Sequence, residues 1–214
     1  ALELYNRSLE QDPKNASSWR GKAEILYRIG KTDGGLQALD NALDIDPKNI
    51  DLLSRKGEFL EFMGRYNESL EVFDQVLELM PADDAAGRVE IWMAKVQTLD
   101  FAGRKNEAIE AQKKVTELVP KNLAAWRNLA SFLDVAGRSN ESLEAYEQAL
   151  RLDPDDVQTW IEKASLLARA ERYNESLEAY DRAIELMSSG GSKELALAWE
   201  GKGDALSKTG RREE

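Results

Sequence analysis

Acidic clusters are the first residues in this chain to invite a chemical reading, because Asp83-Asp84 and Asp153, Asp155 and Asp156 could hold a calcium ion or pair carboxylates for hydrolysis. Neither cluster has the ordered alternation and distal Glu of a calcium loop. Asp at a helix start is favoured by the helix dipole, so capping is the expected role. The tryptophans Trp19, Trp92, Trp126, Trp160 and Trp199 could stack on a ring ligand or a base, and Asn6, Asn15, Asn67, Asn140 and Asn174 each open an Asn-x-Ser sequon. The chain has no Cys and no His, which removes thiolate and imidazole nucleophiles, imidazole bases and the usual zinc ligands. We therefore expect no catalytic residue, no metal ligand and no cofactor, and read the chain as not an enzyme.

Charge and hydropathy narrow the partners. With 29 Lys and Arg against 40 Asp and Glu, the formal net charge of -11 repels phosphate backbones, so nucleic acid is not an expected partner. No apolar run approaches the roughly 18 residues a membrane span needs, and Ala1-Leu2-Glu3-Leu4-Tyr5 lacks a signal-peptide pattern. The absence of Cys fits a reducing compartment, and the expected address is cytoplasmic.

The elements that position these residues follow from a repeat. Pro13, Pro47, Pro81, Pro120 and Pro154 are spaced 34, 34, 39 and 34, while the column of Trp19, Leu53, Trp92, Trp126, Trp160 and Trp199 steps by 34, 39, 34, 34 and 39. The unit is 34 residues with two five-residue insertions, in Ala82 to Ile91 and Ser189 to Ala198. Each unit reads as two helices. In the first, Trp126, Ala130 and Leu133 recur at helical spacing until Gly137 ends it; Gly30, Gly64, Gly103 and Gly210 hold the same place. In the second, Leu70, Phe73, Val76 and Leu77 form one stripe, repeated by Leu143, Tyr146, Ala149 and Leu150. Asp33, Asn67, Asn106, Asn140 and Asn174 are expected to cap the second helices, and Asn15, Asn49, Asn122 and Asp156 the first ones. Tryptophan in a fixed place of the period is expected to pack rather than bind a ligand, and sequons that serve as caps are not read as glycan sites.

Such a pair cannot bury both apolar faces alone, so units must stack. Trp126, Leu129, Ala130, Leu133, Gly137, Ser142, Tyr146, Ala149 and Pro154 together resemble the tetratricopeptide repeat family, and the resemblance covers nearly the whole chain. It implies an all-α, right-handed superhelical solenoid of antiparallel helix pairs. Read as a single array over 1–214, the chain holds a half repeat at 1–15 (second helix only), full repeats at 16–49, 50–83, 84–122, 123–156 and 157–190, and a half repeat at 191–214 (first helix only). Lys22, Lys56, Lys95, Lys163 and Lys202 depart from the family, standing three after the Trp column where Leu is common; the aliphatic stem can pack while the ammonium reaches water.

The resemblance also implies that the column after the Trp, with its helical neighbours, lines the concave wall. There the peptide-binding candidates are Glu24, Tyr27, Glu58, Glu61, Phe62, Met93, Gln97, Asp100, Phe101, Arg127 and Asp134. The wall is acidic with apolar islands and suits a basic, partly apolar peptide of a protein partner. Arg20 with Glu24, then Glu58, stand where the chaperone-binding members of the family resemble one another in Lys and Asn, so that clamp is not expected. The bland alternative is an ordinary solvated face on an acidic protein.

The ends are unlike natural caps, which present a polar outer face. We expect a segment of a longer array, or head-to-tail association in which Leu2, Tyr5 and Leu9 of one molecule cover Trp199 and Leu206 of another. Gly210-Arg211-Arg212-Glu213-Glu214 aligns with Gly103-Arg104-Lys105-Asn106-Glu107, so joining Glu214 to Ala1 would restore an ordinary repeat. The leading functional expectation is an interaction scaffold holding a peptide in an acidic groove. The others are a self-associating structural array, and a substrate-recruiting segment of a larger enzyme.

Overall fold

The computed structural model describes residues 1–187 and 193–210, and within them every regular element is an α-helix. They are α1 (Leu2–Gln11), α2 (Ala16–Arg28), α3 (Thr32–Ile45), α4 (Ile50–Phe62), α5 (Tyr66–Leu79), α6 (Ala85–Phe101), α7 (Lys105–Leu118), α8 (Leu123–Val135), α9 (Ser139–Leu152), α10 (Val157–Arg169), α11 (Tyr173–Leu186) and α12 (Lys193–Lys208). The chain divides into two compact units, Ala1–Val115 and Thr116–Glu214, with the division inside α7. In the first unit α1 packs on α2, α2 on α3, α3 on α4, α4 on α5, and α6 on α5 and α4. In the second, α8 packs on α9, α9 on α10, α10 on α11, and α12 on both α10 and α11.

Four of the helix pairs close through the smallest side chains, while α6 carries Val96 at the same place. Ala23, Gly57, Ala130 and Ala164, four places after the Trp column, let the second helix approach the first. Ser69, Ser142 and Ser176 fasten it there by donating Oγ–H to the carbonyls of Gly57 (2.8 Å), Ala130 (2.7 Å) and Ala164 (2.9 Å). A buried hydroxyl needs such a partner, so these bonds also make the serines affordable in the interior. Around them the first unit buries Phe59, Phe73, Leu39, Leu60 and Val76, and the second Leu133, Leu166 and Leu167, each below 3% exposure. Full burial of a Leu, Val or Phe contributes roughly 1.5 to 3 kcal/mol.

The turn between paired helices explains one failure of the sequence reading. Asp33, Asn67, Asn106, Asn140 and Asn174 do not cap; the second helices begin at Thr32, Tyr66, Lys105, Ser139 and Tyr173, one residue earlier. Gly64, at φ +72°, donates its N–H to Glu61 O (2.9 Å), and Arg65 donates to Leu60 O (2.8 Å). These are the two bonds of a Schellman cap. Arg65 thereby becomes the N-cap of α5, and its guanidinium reaches Glu68 at 2.5 Å. Arg104 with Glu107, Arg138 with Glu141, and Arg172 with Glu175 repeat the pair. At the end of α10 the left-handed place falls to Glu171 (φ 58°) instead of Gly.

First-helix caps form as expected: Asn15, Asn49, Asn122 and Asp156 accept from the amides three residues on, and Asp84 does the same for α6. The acidic clusters are spent on such duties, since Asp153 Oδ1 accepts from Asp155 N, and Asp155 pairs with Arg182 at 2.9 Å. Among the described residues no acidic group gathers into a metal-holding cluster, and no helix is long and apolar enough to cross a membrane. The insertion in Ala82 to Ile91 lengthens the entry to α6, which runs 17 residues against 13 in α4 and α8. The other insertion, Ser189 to Ala198, lies partly outside the described residues, and Arg211 to Glu214 lie wholly outside them.

Trp19, Trp92, Trp126 and Trp160 are half-buried rather than core, and Trp199 is exposed. Trp19, Trp126 and Trp160 donate the indole N–H to the carbonyls of Pro13, Pro120 and Pro154 at 2.8 to 2.9 Å, tying each first helix to the loop before it. Lys22, Lys95, Lys163 and Lys202 lie over the rings of Trp19, Trp92, Trp160 and Trp199 at 4.8 to 5.6 Å. The ammonium groups of this column turn to carboxylates of the preceding second helix: Lys56 to Asp40 (2.7 Å), Lys95 to Asp74, Lys163 to Glu147 (3.5 Å) and Lys202 to Asp181 (2.5 Å). Lys in place of Leu thus adds a neighbour-to-neighbour ion pair to a stacked stem.

Two outcomes follow from this packing. A Cβ on Gly57 would lie 2.6 Å from Phe73 Cε1, so Gly57→Leu should lower stability by about 1 to 3 kcal/mol in urea unfolding. Hydrogen bonds from Arg65, Arg104 and Arg172 hold Glu68, Glu107 and Glu175 below the usual glutamate value of 4.5. A carboxylate depressed in the folded state contributes stability above its ordinary titration range and loses it as pH falls through the folded value. Carboxyl-carbon NMR should find these three titrating below the other exposed glutamates; midpoints at or above 4.5 would contradict the pairing.

Candidate functional site

The candidate wall of the first unit is built on α2, α4 and α6, whose inter-helix turns and caps fix which residues face outward together. Arg55 stands at its centre. Its Nε and Nη2 donate to Glu24 of α2, and Nη1 reaches Glu58 of its own helix at 2.5 Å. The two carboxylates raise the Arg55 pKa above the ordinary arginine value, the Glu24 hydrogen bond being the largest cause. Beside it Arg20 pairs with Asp51 at 3.0 Å. These groups, with Tyr5, Gly21 and Ser54, line an open cleft of about 670 Å³ between α1, α2 and α4.

Next along the wall, Tyr27 stacks on Phe59 with centroids 4.3 Å apart and meets Phe62 edge-on at 5.1 Å. Phe62 itself is 67% exposed. Glu61 accepts from Gln97 Nε2 at 3.1 Å and from the Thr98 hydroxyl, joining α4 to α6. Met93, Asp100 and Phe101 of α6 are exposed, and Phe101 repeats the place of Phe62, nine residues after the Trp column. Exposed apolar side chains flanked by carboxylates are the composition of a peptide contact surface.

The structure therefore brings Glu24 and Glu58 together through Arg55, Tyr27 onto Phe62, and Glu61 onto Gln97. In the second unit the candidates are engaged separately: Arg127 donates to Asp156 (3.4 Å), which also caps α10, while Asp134 pairs with Arg169. Among the self-association candidates, Leu9 and Leu206 are buried within their own units, Leu2 is partly buried against the first core, and Tyr5 covers Gly21. Trp199 is 52% exposed. Sequence reasoning missed Arg55, although a signal existed: Arg20 with Asp51 and Glu24 with Arg55 share the spacing of 31 residues.

Family models described as tetratricopeptide repeat match residues 1–50, 93–157 and 133–190 in one case and 30–89 in another. No curated protein matches the chain. Among solved structures, YrrB, described as a TPR protein with an unusual peptide-binding site, is similar with a TM-score of 0.63 and 18% identity over 94% of this chain and 99% of that one. MamA from residue 41 onward, from Desulfovibrio magneticus RS-1, gives 0.62 and 21% over 83% and 97%. MamA AMB-1 gives 0.62 and 24% over 87% and 98%. At these identities the likeness is one of fold, an all-α solenoid of antiparallel helix pairs.

The Arg55 pairs are more than a third exposed on every partner, so solvent screens them heavily. Arg55→Gln should cost less than about 1 kcal/mol in urea unfolding, and less still in 1 M salt. A loss above about 2 kcal/mol would make Arg55 a structural staple that no ligand cation could replace.

Proposed function

Because the chain belongs to the tetratricopeptide repeat family, we propose that it is a non-catalytic interaction scaffold that holds a basic, partly apolar peptide segment of a protein partner on the first-helix face of its first unit. The observation that carries this reading is the exposure of Phe62 (67%), Met93 (51%) and Phe101 (58%) beside Glu58, Glu61 and Asp100. Burial of the three apolar side chains supplies most of the affinity, since single exposed ion pairs contribute only about 0.2 to 1 kcal/mol. The carboxylates select the charge of the peptide and speed its approach. Arg55 sharpens the requirement: a peptide cation reaching Glu24 or Glu58 must displace its guanidinium or share the carboxylates with it.

A second reading, in which copies of the chain associate with one another, is favoured by the exposure of Leu4 (69%) and Trp199 (52%) on α1 and α12. The two readings use different surfaces and are compatible.

Glu58→Lys combined with Asp100→Lys should weaken binding of a fluorescent peptide of alternating Lys and Leu by about tenfold or more, with the helical circular dichroism unchanged. Equal binding by the double variant would remove this face from the account.

A further inference from the structure

The aromatic pair on the first-helix face stands in a fixed register. Phe62 is the last residue of α4 and Phe101 the last of α6, both nine places after the Trp column, and both are exposed. α6 packs on α4, and Glu61, beside Phe62, accepts from Gln97 Nε2 of α6 at 3.1 Å, so the two rings are held one helix step apart. Packed helices lie about 8 to 10 Å apart, axis to axis. On α2 the same place is Arg28, which ends the row with a cation; in the second unit it is Val135, Arg169 and Lys208. Two successive aromatic rungs therefore belong to the first unit.

The step between the rungs discriminates among peptide conformations. A β-strand returns a side chain to one face every two residues, about 6.6 to 6.8 Å, which falls short. A polyproline II helix returns one every three residues, about 9.3 Å, which matches. An α-helix comes close at about 10.5 Å over seven residues, but its carbonyls are engaged internally. Polyproline II leaves its carbonyls free to accept, and this face has a donor for them. The Tyr27 ring meets Phe62 edge-on at 5.1 Å, and the Tyr27 hydroxyl has no hydrogen-bond partner among the described residues. Exposed aromatic rings suit the proline ring, and the C-terminal poles of α4 and α6, with Glu58, Glu61 and Asp100, favour cations between the prolines.

We propose that the segment held on this face is a polyproline II strand with Pro at every third residue and Lys or Arg between, one Pro on Phe62 and the next on Phe101, with Tyr27 donating to a carbonyl of the segment. The proposal rests on the peptide-binding reading above and adds the conformation and residue class of the peptide.

Fluorescence anisotropy with labelled peptides tests it. A peptide of repeating Pro-Lys-Ala should bind about tenfold or more tightly than one of the same composition whose prolines stand two and four residues apart, and more tightly than the alternating Lys and Leu peptide. Phe62→Ala or Phe101→Ala should erase that advantage with the helical circular dichroism unchanged, because both rings are exposed. Tyr27→Phe, which keeps the ring and removes the donor, should weaken the Pro-Lys-Ala peptide several-fold. Equal binding of the two proline peptides, or tighter binding of the alternating peptide or of a helical one with Leu seven residues apart, would overturn the polyproline II assignment and leave the peptide-binding reading standing. Binding by none of these peptides, or binding that Glu58→Lys with Asp100→Lys leaves unchanged, would overturn that reading itself.

Discussion

Everything in this structure depends on how closely two helices can approach at one crossing point. Where Gly57, Ala130 and Ala164 keep the first helix bare, the second helix comes near enough for a serine hydroxyl to reach the backbone carbonyl at that place. That closeness sets the width of the pair, and the width decides which side chains are left outside. Large residues such as Phe59 and Phe73 fill the spaces beside the crossing, and the outer faces remain for neighbours.

Between pairs, three kinds of contact set the spacing. The indole of Trp19, Trp126 or Trp160 closes the proline loop before its helix; Lys95, Lys163 and Lys202 lie over the rings of Trp92, Trp160 and Trp199 and reach back to an acid of the previous second helix; the Arg65-type N-cap fixes where the next helix starts. Each contributes modestly, because all are partly solvated. Their recurrence matters more than their individual size, since a repeat protein gains stability by summing near-identical neighbour terms.

The periodic part of this was legible in the sequence because each periodic residue has a periodic reason. Proline and tryptophan recur together since one accepts the hydrogen bond of the other, and Asn15 or Asp156 announces a first helix because its side chain alone satisfies an orphan amide. The second-helix starts were misplaced because Asn67 looks like a cap, whereas the Schellman turn around Gly64 and Arg65 has already used the residue before it. The site was legible in its exposed apolar members and not in its electrostatics. Glu24 and Glu58 read as free acidity from sequence; Arg55, three residues from one and 31 from the other, neutralises part of it only once the helices are stacked. Likewise Leu9 reads as a sticky end until it is seen to be buried, while Leu4, five residues earlier on the same helix, is exposed.

In the proposed function the first-helix face around Phe62 and Phe101 is a working surface rather than a solvated one. The most direct measurement is a two-dimensional amide and methyl NMR titration of the chain with the Lys and Leu peptide at fixed salt. Saturable shifts concentrated on Glu58, Glu61, Phe62, Met93 and Phe101 are expected, with the Met93 methyl resonance among them. Shifts confined to α1 and α12, or none at millimolar peptide, would contradict it.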